Sequence, residues 1–147
     1  MKYPEKGSVK GKIRLVNKGQ ISFNEGCVVN GKNKYNPIGF GDGCSIVAEQ
    51  GARITVGKNV GMSNCTLYSR DSITIGDDVL LGGGVKIYDT DFHSLDAQYR
   101  GTAEDKKYTK NKHFSAFYLH NCRILYNFVA FLRTIDIFLY SFCIYNY

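Results

Sequence analysis

Between Ile54 and Asp96 the apolar positions of this chain recur in steps of six. Ile75, Leu81 and Ile87 are six apart, and the offset of four from Ile75 to Val79 returns from Leu81 to Val85. The pattern aliphatic, Gly, two polar residues, aliphatic occurs at Val56 to Val60 and again at Ile75 to Val79. An α-helix repeats its apolar face every 3.6 residues and a single strand every two. A step of six suits neither. It suits a chain that turns a corner after each short strand, which is how hexapeptide repeats build a parallel β-helix.

Upstream, the bursts Ile13-Arg-Leu-Val16 and Ile21-Ser-Phe23 are too short for helices and are bounded by Asn-Lys-Gly and Asn-Glu-Gly, so they predict strands. Residues 1 to 11 are polar and read as an end or edge segment. Phe23-Asn-Glu-Gly-Cys27 and Phe40-Gly-Asp-Gly-Cys44 match the two later blocks. The lead residues Phe23, Phe40, Val56 and Ile75 are therefore expected to begin four stacked coils of about three hexads each. Gly41, Gly57 and Gly76 share one repeat position, where a tight corner calls for positive φ. The competing architecture, an antiparallel sandwich with Gly-rich turns, has no reason to keep a six-residue step.

Composition divides the chain. All 16 glycines lie at or before Gly101, whereas residues 102 to 147 hold 12 of the 20 aromatics. The expected organisation is a repeat domain over 1–101, with a loop at 88–100, and a basic then aromatic-rich tail over 102–147. The net charge of +6 is spread over both parts, and the cluster Lys106, Lys107, Lys110 and Lys112 lacks the aromatic spacing of a nucleic-acid site, so no nucleic acid is expected as partner. Five cysteines with no CxxC, and no apolar run at the N-terminus, suggest a reducing cytoplasm. Cys44 and Cys65 stand at small inward positions and read as core.

The hexads stop after Ile87, and the chain enters Tyr88-Asp-Thr-Asp-Phe-His-Ser-Leu-Asp96. This stretch is expected to bulge out where a corner would be, presenting His93 among Asp89, Asp91 and Asp96. A histidine in a loop is ordinarily a solvated surface residue. A repeat interrupted to present one favours function, because an imidazole paired with a carboxylate holds one tautomer and can serve as a general base near neutral pH.

Val56-Gly-Lys-Asn-Val-Gly-Met-Ser-Asn64, followed by the run from Ile73 to Asp96, strongly resembles the hexapeptide-repeat O-acetyltransferases. These include maltose, galactoside and capsular-polysaccharide acetyltransferases. The resemblance covers about residues 20 to 101. It implies an all-β fold, a left-handed parallel β-helix assembled as a homotrimer, with acetyl-CoA as donor, a sugar or polysaccharide hydroxyl as acceptor and no metal. His93 matches the catalytic histidine. Asn64 is similar to the asparagine that faces the cleft one coil earlier and hydrogen-bonds substrate, and Asp91 is the residue expected to orient His93. No residue is assigned to CoA. A non-catalytic solenoid module that only trimerises is the alternative, and a zinc hydratase on the same fold would use His93, His113 and His120, for which no ligand spacing exists.

Beyond about residue 101, where the resemblance ends, the coils that line a CoA tunnel in this family have no counterpart, and nothing after Lys107 has the hexad period. Three readings of the tail are open. It is an out-of-frame end to a truncated enzyme, a membrane segment at 124–145, or an amphipathic or buried helix capping the solenoid. Twelve Ile, Leu, Val and Phe residues at roughly −0.3 to −0.6 kcal/mol each are offset by Arg133 and Asp136 near the centre at about 2.5–3.5 kcal/mol each, so insertion is not favoured.

Overall fold

The structure, a computed structural model, describes residues 7–32, 34, 37 and 43–109 and the backbone of 113–116. Twelve short strands follow one another: β1 (Ser8–Gly11), β2 (Ile13–Asn17), β3 (Gln20–Phe23), β4 (Val28–Gly31), β5 (Cys44–Ala48), β6 (Arg53–Val56), β7 (Gly61–Ser63), β8 (Thr66–Ser69), β9 (Ser72–Ile75), β10 (Leu80–Leu81), β11 (Lys86–Tyr88) and β12 (His113–Ala116). They form three four-stranded sheets, β1-β4-β7-β10, β2-β5-β8-β11 and β3-β6-β9-β12. Every described pairing is parallel. Each strand thus pairs with the one three places on, and the chain visits all three sheets on each circuit. The fold is all-β, and its parallel pairing rules out the antiparallel sandwich.

The six-residue step survives as the buried side of this path. Ile54, Val56, Val60, Met62, Leu67, Ile73, Ile75, Val79, Leu81 and Ile87 all lie in the core. Register stacks them in columns: Ile21, Ile54 and Ile73 are successive partners, as are Phe23, Val56 and Ile75. Each fully buried Val or Ile contributes about 1.5–3 kcal/mol, so the columns are the main source of cohesion. Cys27, Cys44 and Cys65 are buried thiols, and Cys27 Sγ lies 3.0 Å from the Gly57 carbonyl oxygen.

Two expectations are corrected. Phe23 and Val56 are direct neighbours in the third sheet, so only one circuit separates them and no coil begins at Phe40. Phe40 itself lies outside the described residues. The segment 32–43 is an insertion between β4 and β5, and Cys44 opens β5, paired with Ile13 at the start of β2. The four circuits remain, counted instead from β1, the edge strand of its sheet.

The repeat glycine also serves a different purpose. Positive φ falls two residues later, at Gly43 (φ 124), Asn59 (φ 54) and Asp78 (φ 58), residue types that tolerate this conformation. Gly57 is required for space: a Cβ there would lie 2.5 Å from the Gly76 carbonyl carbon. The corners are laced between circuits, with Asn59 Nδ2 donating to Asp78 Oδ1 at 3.0 Å and the Lys58 amide donating to Asp77 Oδ1 at 2.7 Å.

Among the described residues no helix is long and apolar enough to cross a membrane. Residues 124–145, where a membrane or capping helix was one reading, lie outside them. Beyond the expected boundary at 101, β12 pairs with β9 in the third sheet. Residues 89–109 make one excursion from the corner where the second sheet hands over to the third.

Candidate active site

His93 sits on this excursion, with its side chain 60% exposed. A buried carboxylate anchors each end. At the start, Asp89 occupies an inward position beside Ser69 and is 2% exposed. Its Oδ2 accepts from the Ser69 hydroxyl at 2.6 Å and from the Asp71 amide at 3.0 Å, and its Oδ1 accepts from the Arg70 amide at 2.7 Å. The chain leaving β11 is thereby fastened to the corner beneath it.

At the other end, the 3₁₀ turn Asp105–Tyr108 returns Asp105 to the loop it closes. Asp105 accepts from the backbone amides of Ser94 and Gly101, the latter at 3.0 Å, and its Oδ2 lies 2.8 Å from His93 Nδ1. The Ser94 amide, then the Gly101 amide and then His93 hold this carboxyl down at about 2, from an ordinary 3.8. Asp105 is therefore ionised at neutral pH and can only accept, so Nδ1 of a neutral His93 carries the proton. Nε2 is left with its lone pair.

Asp105, rather than Asp91, is the carboxylate on Nδ1. It was missed because it lies twelve residues on, in the stretch whose composition reads as tail. Asp91 contributes its backbone carbonyl, which accepts from the His93 amide at 2.7 Å. Asp96 caps the following turn, accepting from the Gln98 amide at 2.9 Å. Tyr99 and Tyr108 stack at 3.8 Å and close the base of the loop.

Asn64 is elsewhere. It turns the corner between β7 and β8 with φ 47 and is 2% exposed, its amide donating to the Asn30 carbonyl at 3.1 Å and its carbonyl accepting from the Gly84 amide at 3.0 Å. That corner joins the first and second sheets, whereas the His93 loop joins the second and third. One chain does not hold the two residues at one corner.

No protein-family model, curated protein or solved structure matches this chain. An imidazole whose Nδ1–H is held on an anion presents the Nε2 lone pair outward, an arrangement suited to accepting a proton while the anion steadies the imidazolium that results.

The depressed Asp105 carboxyl makes a testable pH prediction. A carboxyl whose folded pKa is lowered contributes stability above its unfolded value, and that contribution is lost as pH falls through the folded value. The loop closure should thus persist below pH 3.8 and fail near pH 2. The Ser94 and Gly101 amide resonances, followed by NMR on acidification, are expected to move with a midpoint near the lower value. A midpoint near 3.8 would mean that the carboxyl is not held by these donors.

Proposed function

We propose that the chain is an acetyl-CoA-dependent O-acetyltransferase acting on a sugar or polysaccharide hydroxyl, with His93 as general base. The observation that carries this reading is the Asp105–His93 pair on an exposed loop, which leaves Nε2 as an oriented proton acceptor. The acceptor O–H gives its proton to Nε2 as its oxygen bonds to the thioester carbonyl carbon. Collapse of the tetrahedral adduct breaks the C–S bond, and the proton on His93 passes to the departing thiolate. Transfer is direct, with no acyl-enzyme.

The finer architecture belongs to the same proposal: a left-handed parallel β-helix, assembled as a homotrimer. Asn64 and His93 stand at different corners of one chain, and Asn64 is buried, so its side chain is left out of the site of this reading. The outer face of the first sheet suits contact with a neighbouring copy. Val28, Gly61 and Leu80 are in register there, with Val28 42% and Leu80 51% exposed. That apolar line also favours the second reading, a solenoid that trimerises without catalysing. The coils that the resemblance expects after the His93 loop to line the donor site have no counterpart with the hexad period, so weak donor affinity is expected.

Calorimetry of the full chain with acetyl-CoA, followed by a CoA-release assay over a panel of sugar acceptors, separates the two. Donor binding with acceptor-dependent CoA release supports the transferase. A folded trimer that neither binds acetyl-CoA nor releases CoA would leave the non-catalytic solenoid.

A further inference from the structure

The residue before His93 adopts a backbone conformation that its side chain disfavours. Phe92 has φ 59. Among the described residues, the other non-glycines at positive φ are Asn59, Asn64 and Asp78, whose short polar side chains tolerate this region. A bulky aromatic there is an outlier, and such strain persists only where surrounding contacts hold it. At the other positive-φ positions among the described residues, this chain uses Asn, Asp or Gly. At 92 the ring itself must matter.

The contacts of that ring show what it does. Its centroid lies 5.1 Å from that of Tyr68 and 5.4 Å from that of Tyr88. The two tyrosines are register partners on β8 and β11, so Phe92 spans adjacent strands of the second sheet. Tyr68 is fixed in turn: its hydroxyl donates to Glu49 Oε1 at 3.3 Å, and Glu49 pairs with Lys18 at 2.9 Å. The loop is therefore tied to the solenoid at Asp89 and at Phe92, while Asp105 closes it on itself. The Phe92 amide donates to Thr90 Oγ1 at 3.3 Å and the His93 amide to the Asp91 carbonyl, which tightens the turn around the strained residue. His93 is mostly exposed, so its direction depends on Asp105 and on the backbone that carries it.

We propose that Phe92 is a positioning residue for His93: its ring, docked on Tyr68 and Tyr88, holds the left-handed backbone that brings His93 Nδ1 onto Asp105. The kinetic half of the test rests on the acetyltransferase reading, and the spectroscopic half does not. Phe92→Asn supplies a residue that accepts positive φ without the ring, Phe92→Ala removes the ring, and Phe92→Tyr restores it. By ¹⁵N NMR of the full chain, wild-type protein and Phe92→Tyr are expected to show His93 as the Nδ1–H tautomer, while Phe92→Asn and Phe92→Ala show a mixture. For acetyl transfer, the Asn and Ala variants should lose about ten- to a hundredfold in kcat with acceptor KM within about twofold, the mark of misplacement rather than lost binding. Thermal unfolding should separate these effects from a general loss of structure.

A wild-type tautomer and kcat in Phe92→Asn would overturn the proposal, since the backbone conformation alone would then suffice. A rise in acceptor KM at unchanged kcat would also overturn it, by making Phe92 a contact for the acceptor. If wild-type protein transfers no acetyl group but the tautomer shifts in Phe92→Asn, the positioning role stands and the acetyltransferase reading falls.

Discussion

Under the proposed acetyltransferase function, His93→Gln is expected to lose about 10²–10⁴-fold in acetyl transfer, the range by which a positioned general base accelerates proton removal. Glutamine has similar reach and can still donate to the Asp105 carboxylate, but it offers no basic nitrogen to a sugar hydroxyl. Because the His93 side chain is 60% exposed, the fold should hardly register the change, and the unfolding midpoint should match wild type. Acetyl-CoA binding should also be unaffected, so that the loss appears in kcat. Initial rates of CoA release, measured with saturating donor, provide the comparison. If the variant kept a rate within about threefold of wild type, another group would have to be the base and the role given to the Asp105–His93 pair would be wrong.

Asp89→Ala is expected to act on stability instead, lowering it by about 3 kcal/mol or more. The carboxylate is almost wholly enclosed and accepts from the Ser69 hydroxyl and from the Arg70 and Asp71 amides. Hydrogen bonds to a charged acceptor contribute about 1.5–3 kcal/mol each, and donors left buried without a partner add a desolvation cost. Against a total of about 5–15 kcal/mol for a domain, that loss should be visible as a large fall in urea midpoint. Asp89→Asn should fall between the two proteins, since one amide oxygen replaces two carboxylate oxygens. A change below about 1 kcal/mol in Asp89→Ala would show that water reaches this corner and satisfies the donors. The two substitutions are expected to part cleanly: His93 governs chemistry with little effect on folding, and Asp89 governs folding at the point where the loop departs.

The period of six carried much of the fold because it states a local rule repeated along the chain. Val56, Met62, Ile75, Leu81 and Ile87 must face inward wherever a strand of this length meets a tight corner, and they are all buried. The same rule misled at Phe40. Its spacing from Phe23 and Val56 imitates a coil, yet hydrogen-bond register makes Phe23 and Val56 neighbours and turns 32–43 into an insertion. Spacing along a chain cannot tell a coil from an insertion of equal length. Pairing between strands can, because a parallel ladder fixes which residues lie side by side.

The loop was legible in part for a related reason. His93 stood out because the repeat stops in front of it, and Asp89 and Asp96 were visible as acids nearby. Their roles were not, since alternation along the strand turns Asp89 inward to the Ser69 corner, while Asp96 caps a local turn. Asp105 had no local signal at all: it belongs by composition to the aromatic and basic tail, and it reaches His93 only because the chain folds back through a 3₁₀ turn.

By itself the sequence determined the all-β class and the inward columns, and it singled out the loop that carries His93. These follow from short-range sterics and from the burial of apolar side chains, which repeat with the chain. Only the tertiary structure decided which carboxylate holds the imidazole, which acid anchors the loop, and that Asn64 and His93 lie at different corners. Those depend on contacts between residues distant in sequence, brought together by loop closure and register, and no local period encodes them.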